Sequence, residues 1–511
     1  IDSDVLRGSI TGRYSFASIV PEMKGILARF IPAVFAAPEP KRAAKTKAKQ
    51  LKPNVFEYEF TLLPSEEVTR FFELPVHIVY DAEISGRIDS RQGRATLEFD
   101  APYLRNGDKL IEGSTLHARL DTAASRSDIY LSTQFPTNKG DMALNGLIKA
   151  FDNRIDTRID WIIERKIPLN GSLSFATQIG EPSPKLVPGA LCPWPLTVHF
   201  NPGTVNFGDE TWTIKPSTIS LDGDMAKVEG FGLDAGSQAI AIDGLASKHP
   251  ADSLIVDLRS IALLPIFETL EIDKAMIGGR ATGRFTARDV LTKTPKLYCP
   301  SLHVDSIGYN RCTIGDADIE AGWDNDARAF AFDADITGLD KRKSRITGKI
   351  FPMDEALDID FNANRVPVGF LKPFMEAFTS DISGHASGHC RLFGTFKEID
   401  LEGRVYADNV KMKIDFTNAS YTATDSVYLS PGSISLRNIT IHDAEGHTAR
   451  LNGTVRHTFF KRPVFKFDIT EAHNFLSFNA TPKQYPDWYG TIYGNGGASI
   501  SGYPGVVNID V

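Results

Sequence analysis

Along much of the chain apolar and polar residues alternate one by one, the pattern of a half-buried β-strand whose successive side chains point to opposite faces. Ile155, Thr157, Ile159 and Trp161 alternate with Arg154, Asp156, Arg158 and Asp160, and Leu254, Val256 and Leu258 with Ile255, Asp257 and Arg259. Leu357, Ile359, Phe361 and Ala363 alternate with Asp358, Asp360, Asn362 and Asn364. Phe465, Phe467 and Ile469 alternate with Lys466, Asp468 and Thr470, and Phe330, Phe332, Ala334 and Ile336 with Ala331, Asp333 and Asp335. Each predicted strand therefore has one apolar and one polar face, and turn residues about every ten positions set the strands in series.

The strands recur with a long period. An aliphatic-polar-Gly tripeptide ends at Gly146, Gly244, Gly348 and Gly453, separated by 98, 104 and 105 residues. A second glycine marker at Gly171, Gly283, Gly388 and Gly496 has intervals of 112, 105 and 108. Two independent markers with one period imply a repeat unit of roughly 100 residues. Short apolar segments follow the alternating strands at Trp161 to Glu164, Ile261 to Phe267, Val366 to Phe378 and Ala472 to Phe478, and each is expected to form one or two helical turns. The domain reading is a β segment plus an apolar helical segment over 1–37, a basic linker over 38–53 and a repetitive sheet over 54–511. Its approximate units are 54–170, 171–282, 283–387 and 388–495, with 496–511 beginning another.

Composition narrows the class. Hydrophobic residues at 42% and charged residues at 23% place the chain among globular proteins, and 41 Gly with 29 Pro demand many turns. The net charge of −8, from 56 basic and 64 acidic residues, leaves no basic domain for a phosphate backbone, so no nucleic-acid partner is expected. The apolar stretch Ile19 to Ala37 contains Glu22, Lys24 and Arg29, which makes a poor membrane span and a better amphipathic helix packed in a groove. The stretch after it holds Lys41, Arg42, Lys45, Lys47, Lys49 and Lys52 and reads as a solvated linker, with contact to anionic headgroups as the alternative. A first residue other than Met and a last run of alternating Val507 to Val511 suggest a fragment of a longer protein.

The sequence offers little for catalysis. Gly384 to Gly388 has the wrong order for a nucleophile elbow, and neither a phosphate-binding loop nor a zincin motif is present. His385, His389 and Cys390 could offer ligands, but on a strand His385 and His389 would share a face about 13 Å apart, too far for one ion. His442, Asp443, Glu445 and His447 read as a hairpin turn. Asp324-Asn325-Asp326 starts like a calcium loop, but Arg328 and Ala329 stand where an oxygen ligand and glycine are needed, so a turn is expected. Four cysteines (Cys192, Cys299, Cys312, Cys390) give no disulfide framework; they read as small buried hydrophobes, with Cys299–Cys312 as one conceivable hairpin pair. No enzyme activity, metal or cofactor is expected.

The remaining feature is the apolar face itself. The fold class read from these patterns is all-β: an elongated, curled, mostly antiparallel sheet forming an open β-groove, with a few short helices. The residues expected to line the groove are Ile155, Ile159, Trp161, Leu254, Val256, Leu258, Phe330, Phe332, Ile336, Leu357, Ile359, Phe361, Phe465, Phe467 and Ile469. A β-sandwich or closed solenoid filled by its own side chains is the structural alternative, although solenoid coils are far shorter than this unit.

Over about residues 380–511 the chain resembles the TamB family, the AsmA-like translocation and assembly module subunits of the bacterial envelope. The resemblance rests on Ile382-Ser383-Gly384 to Gly394, Ile414-Asp415-Phe416 to Tyr421, Ile439 to Asp443 with Gly446, Leu451-Asn452-Gly453 and His457. It continues through Phe475 to Tyr493, including Trp488-Tyr489-Gly490, and ends in Gly496-Gly497-Ala498-Ser499-Ile500-Ser501-Gly502. The resemblance implies a periplasmic location, an inner-membrane anchor and a C-terminal end docking on an Omp85-class (TamA-like) outer-membrane barrel, both outside this chain. It also implies carriage of phospholipid acyl chains between the membranes, or assistance to barrel assembly. An adhesin-like β-solenoid and a β-helix lyase are the rival readings. The first needs exposed aromatic platforms and the second needs converging charges, and the sequence shows few of either.

Overall fold

The computed structural model describes residues 1–36, 53–65, 76–137, 140–165, 167–181, 192–269, 276–376, 378–487 and 489–511. The basic segment 38–52 and Trp488 lie outside them, as does the side chain of Cys192. The protein is all-β, with 71% of residues in strands and 7% in helices. The strands pair antiparallel and mostly in order of sequence; the order is broken where Leu169–Ile179 pairs with both Cys192–Phe200 and Gly203–Phe207, and Cys192–Phe200 with Ser217–Gly223. Contacts divide the chain into two compact units, Ile1–Val256 with Asp289–Thr292, and Asp257–Arg288 with Lys293–Val511. The division falls inside the strand Ser253–Ala262 rather than at a glycine marker.

In the first unit the strand Leu6–Arg13 pairs with Val55–Leu62, which pairs with Ala82–Asp89. From there Arg94–Asn106, Lys109–Asp121, Arg126–Thr137, Gly140–Phe151, Arg154–Glu164 and Leu169–Ile179 follow as successive hairpins. Between the first two strands the chain forms the helix Phe16–Leu27 and the short turn Pro32–Phe35. Ile26 and Phe30 pack against Phe56, Ile88, Ala95, Leu120 and Ala150, so this amphipathic segment lies on the apolar face of the strands.

The second unit continues from Ile277–Arg288 through the long strands Thr379–Thr395 and Glu398–Ile414 to Val506–Asp510. Two expected helical turns are present: Leu263–Thr269, and a 3-10 turn Val368–Leu371 leading into Lys372–Met375. The other two are strand. Trp161 to Glu164 completes Arg154–Glu164, because the alternation simply continues, with Trp161 and Ile163 opposite Gly171 and Leu169. Ala472 to Phe478 belongs to Lys461–Ala480, where register shifts between Ala472 and Phe475 and between Leu476 and Phe478 break the period of two. A bulge turns consecutive apolar residues toward one face, which mimics a helical pattern in sequence.

Burial is discontinuous. Small clusters form where a connecting segment covers the sheet, as with Leu263 over Ala281, Val304, Ala317 and Ile336. Another forms where Phe475 and Ala472 meet Ile439, Ile441 and Ala449. Elsewhere the apolar face is half-exposed.

Candidate functional site

Register places the apolar residues of neighbouring strands side by side. In the first unit one row runs Leu131, Gly146, Ile159, Leu173, and the next runs Leu144, Trp161, Gly171, Val205. Ile155 lies beside Ala150 on the same face. Leu254 and Val256 alternate with Ile255 and Asp257 along Ser253–Ala262, and since Asp257 pairs with Arg284 on the polar face, Leu254 and Val256 point the other way. In the second unit Trp323, Phe330, Ile350 and Leu357 form one row, and Ala321, Phe332, Gly348, Ile359 and Leu392 the next. Ile346, Phe361, Cys390, Gly403 and Leu429 form another. Gly453, Phe467 and Ile500 continue the pattern, with Val455 beside Phe465 and Leu451 beside Ile469. Leu258 lies one alternation from Val256 on the strand Ser253–Ala262 and falls on the same face.

Of the fifteen residues expected on the face, Phe465 and Ile336 are buried and Phe330 is exposed. The remaining twelve are half-buried. Sequence alternation missed Leu173, Leu302, Leu392 and Leu429. Their strands carry glycines, polar residues or bulges that blur the period, and only pairing with a strand of clear alternation reveals their face.

The repeat glycines also belong to this face. A Cβ on Gly453 would meet the Phe467 ring at 2.4 Å, and one on Gly171 would meet the Trp161 ring at 2.3 Å. Large rings thus lie flat over a neighbouring strand that has no side chain, which keeps the face smooth.

The opposite face is polar and laced with ion pairs. Arg158 Nε binds Asp160 at 2.9 Å, Arg284 Nε binds Asp257 at 2.6 Å, Arg345 Nε binds Asp333 at 2.9 Å and Arg391 Nε binds Asp358 at 2.7 Å. Each arginine holds its aspartate below the usual carboxylate range through that hydrogen bond. These pairs are solvent-exposed and contribute little stability one by one, but they fix which face stays wet. Asp360 joins that face, 3.3 Å from His389. Phe361, its neighbour, faces the apolar side beside Cys390, whose thiol is pushed up to about 11, first by burial and then by the charge of Asp360.

At one edge of the second unit, segments reach over the apolar side. Tyr309 meets the rings of Phe370 and Phe374 at centroid distances of 6.1 and 6.4 Å. The Phe378 ring, in the turn just before Thr379–Thr395, meets Phe465 of the strand Lys461–Ala480 edge-on at 5.4 Å. Tyr421 stacks on Phe475 at 5.3 Å and donates its hydroxyl to the Leu476 carbonyl.

The motifs weighed for metal chemistry have structural roles. Asp443, nearly buried, accepts the N–H groups of Leu476 at 2.8 Å and of Glu445 and His447 at 2.9 Å, and bonds the His447 ring at 3.0 Å. It thereby ties a hairpin tip to the strand that folds over the face. Asp324 accepts from Asp326 and Ala327 within a turn and from Lys349 at 2.9 Å. Among the described residues no cluster of three His, Cys, Asp or Glu is arranged to hold a metal ion. The conceivable Cys299–Cys312 pair is overturned, since both thiols are free. Cys299 pairs in register with Ala321 and Cys312 with Tyr309, which places the two cysteines at opposite ends of one hairpin, about 30 Å apart along the strands.

No helix among the described residues is long and apolar enough to cross a membrane. No protein-family model, curated protein or solved structure matches the chain.

Proposed function

We propose that this protein is a carrier for phospholipid, holding acyl chains against the apolar face of its sheet while headgroups stay with water. The observation that supports this reading most is the continuity of apolar rows from strand to strand within each unit, with most of their side chains only half-buried. A soluble sheet that leaves so much apolar surface uncovered needs a partner. An acyl chain fits such a surface because it gains about 0.8 kcal/mol per buried CH₂ wherever it lies, so it is held firmly yet can slide. The rows present no charged group to interrupt that movement, and the reading requires no catalytic residue, metal or cofactor in this chain.

The resemblance to the TamB family gives this activity a setting: the periplasm, with lipid moving between inner and outer membranes and an outer-membrane barrel of the Omp85 class as partner. Assistance to outer-membrane barrel assembly is the second reading, since a nascent β-strand also needs an apolar, strand-compatible surface. Native mass spectrometry of the purified protein tests the choice. Co-purified phospholipid, displaced when bulky residues are placed at Ile359 and Phe361, is the expected result. A lipid-free protein that takes up no phospholipid from micelles sinks the proposal.

A further inference from the structure

We infer that the hairpin tip Phe459-Phe460 is a membrane-docking element that inserts into a bilayer bearing anionic headgroups. The tip joins the strands Thr448–Thr458 and Lys461–Ala480, and Thr458 pairs directly with Lys461. Two residues therefore make the whole turn, and both have positive φ, 52° at Phe459 and 59° at Phe460. That backbone is the type I′ turn, which strongly prefers Asn-Gly because a bulky side chain is strained there. Phenylalanine at both positions breaks the local rule while the two residues remain 37% and 41% exposed. Among the described residues the one aromatic partner is His457, which stacks on Phe460 at 4.4 Å and accepts its backbone N–H at 3.1 Å. Strain retained with exposed apolar rings points to an interaction outside the fold.

The surroundings identify the partner by charge. Lys461 and Arg462 follow the rings directly, and Arg456 precedes them by three residues. On the same polar face, Arg404 and Arg437 both lie over the Tyr428 ring, at 5.2 and 4.2 Å. All five cations are exposed, and among the described residues none has a carboxylate within ion-pair distance. Of the nearby acids, Glu402 is paired with Arg391 at 3.4 Å, and Asp400 is buried and accepts the Gly432 N–H at 2.9 Å. Exposed aromatic rings on a tip backed by unpaired cations match the interface of an anionic bilayer, with rings below the headgroups and cations among the phosphates. Docking at this tip does not require that lipid travel along the apolar face, so it stands apart from the transport proposal.

The test is vesicle flotation with the whole chain, using phosphatidylcholine vesicles with or without about one-third phosphatidylglycerol. The Phe459→Asn/Phe460→Gly variant gives the turn its preferred residues, so its melting temperature should equal or exceed the parent's. Its partition onto anionic vesicles should nevertheless fall about tenfold or more, because two rings are lost from the interface. Lys461→Glu/Arg462→Glu should abolish anionic selectivity, and raised salt should weaken binding of the parent. Parent protein that ignores anionic vesicles, or an Asn-Gly variant that binds them as the parent does, overturns the inference.

Discussion

Replacing Phe361 with Asp places a carboxylate in the middle of the proposed lipid path while leaving the backbone ladder intact. Phe361 sits between Ile346 and Cys390 and is half-buried. Full burial of such a ring stabilises by at most about 3 kcal/mol, so its loss here should cost the fold about 1–2 kcal/mol. That is modest beside the roughly 5–15 kcal/mol that holds a typical protein folded. In the empty protein the new carboxylate keeps water on the uncovered side, but a passing acyl chain must strip it away. Desolvation costs several kcal/mol, and about 3 kcal/mol at one point on the path slows passage roughly 100-fold. Asp360→Ala is the matched control, altering charge by one unit on the polar face and removing only an exposed pair with His389. Transfer of a fluorescent phospholipid between liposomes should fail for Phe361→Asp and proceed for Asp360→Ala, with circular dichroism confirming that both fold. Normal transfer by a folded Phe361→Asp protein refutes the conduit and favours the barrel-assembly reading.

Gly453→Ala forces a Cβ to within 2.4 Å of the Phe467 ring and should lower stability by about 1–3 kcal/mol, measured by urea denaturation. Asp443→Ala leaves the Leu476, Glu445 and His447 N–H groups without their acceptor and should cost about 2–3 kcal/mol, with faster hydrogen exchange at Leu476. Burial alone would raise the Asp443 carboxyl, but the Leu476 N–H and the His447 contacts outweigh it and hold it below 3.8. Its contribution is therefore present above pH 3.8 and lost as pH falls through the depressed value, so Asp443→Asn should flatten the acid limb of a stability profile. Because Cys299, Cys312 and Cys390 are free thiols, reductant should leave the melting temperature unchanged, and a shift of several degrees would contradict the structure.

The alternation at Leu357 to Phe361 and at Phe330 to Ile336 is enough, without coordinates, to identify strands and to assign each side chain a face, because a period of two leaves no other way to separate greasy from wet residues. The same residues make the all-β class legible, and the glycine spacing makes the repetition legible. Alternation cannot specify which strand lies beside which. Register alone brings Phe361 next to Cys390 and turns isolated apolar stripes into continuous rows. Nor can it distinguish a bulged strand from a helix, as Ala472 to Phe478 shows, since both gather consecutive apolar residues on one side. The docking of Ile26 and Phe30 on strands far along the chain, the buried acceptor role of Asp443 and the separation of Cys299 from Cys312 all depend on contacts between distant residues. The strain at Phe459-Phe460 is hidden for a related reason: a Phe-Phe pair between two strands looks like core until pairing of Thr458 with Lys461 leaves it a two-residue turn in open water. Local pattern determined what each residue prefers; only the tertiary structure decided which preferences were satisfied and which surfaces were left waiting for a partner.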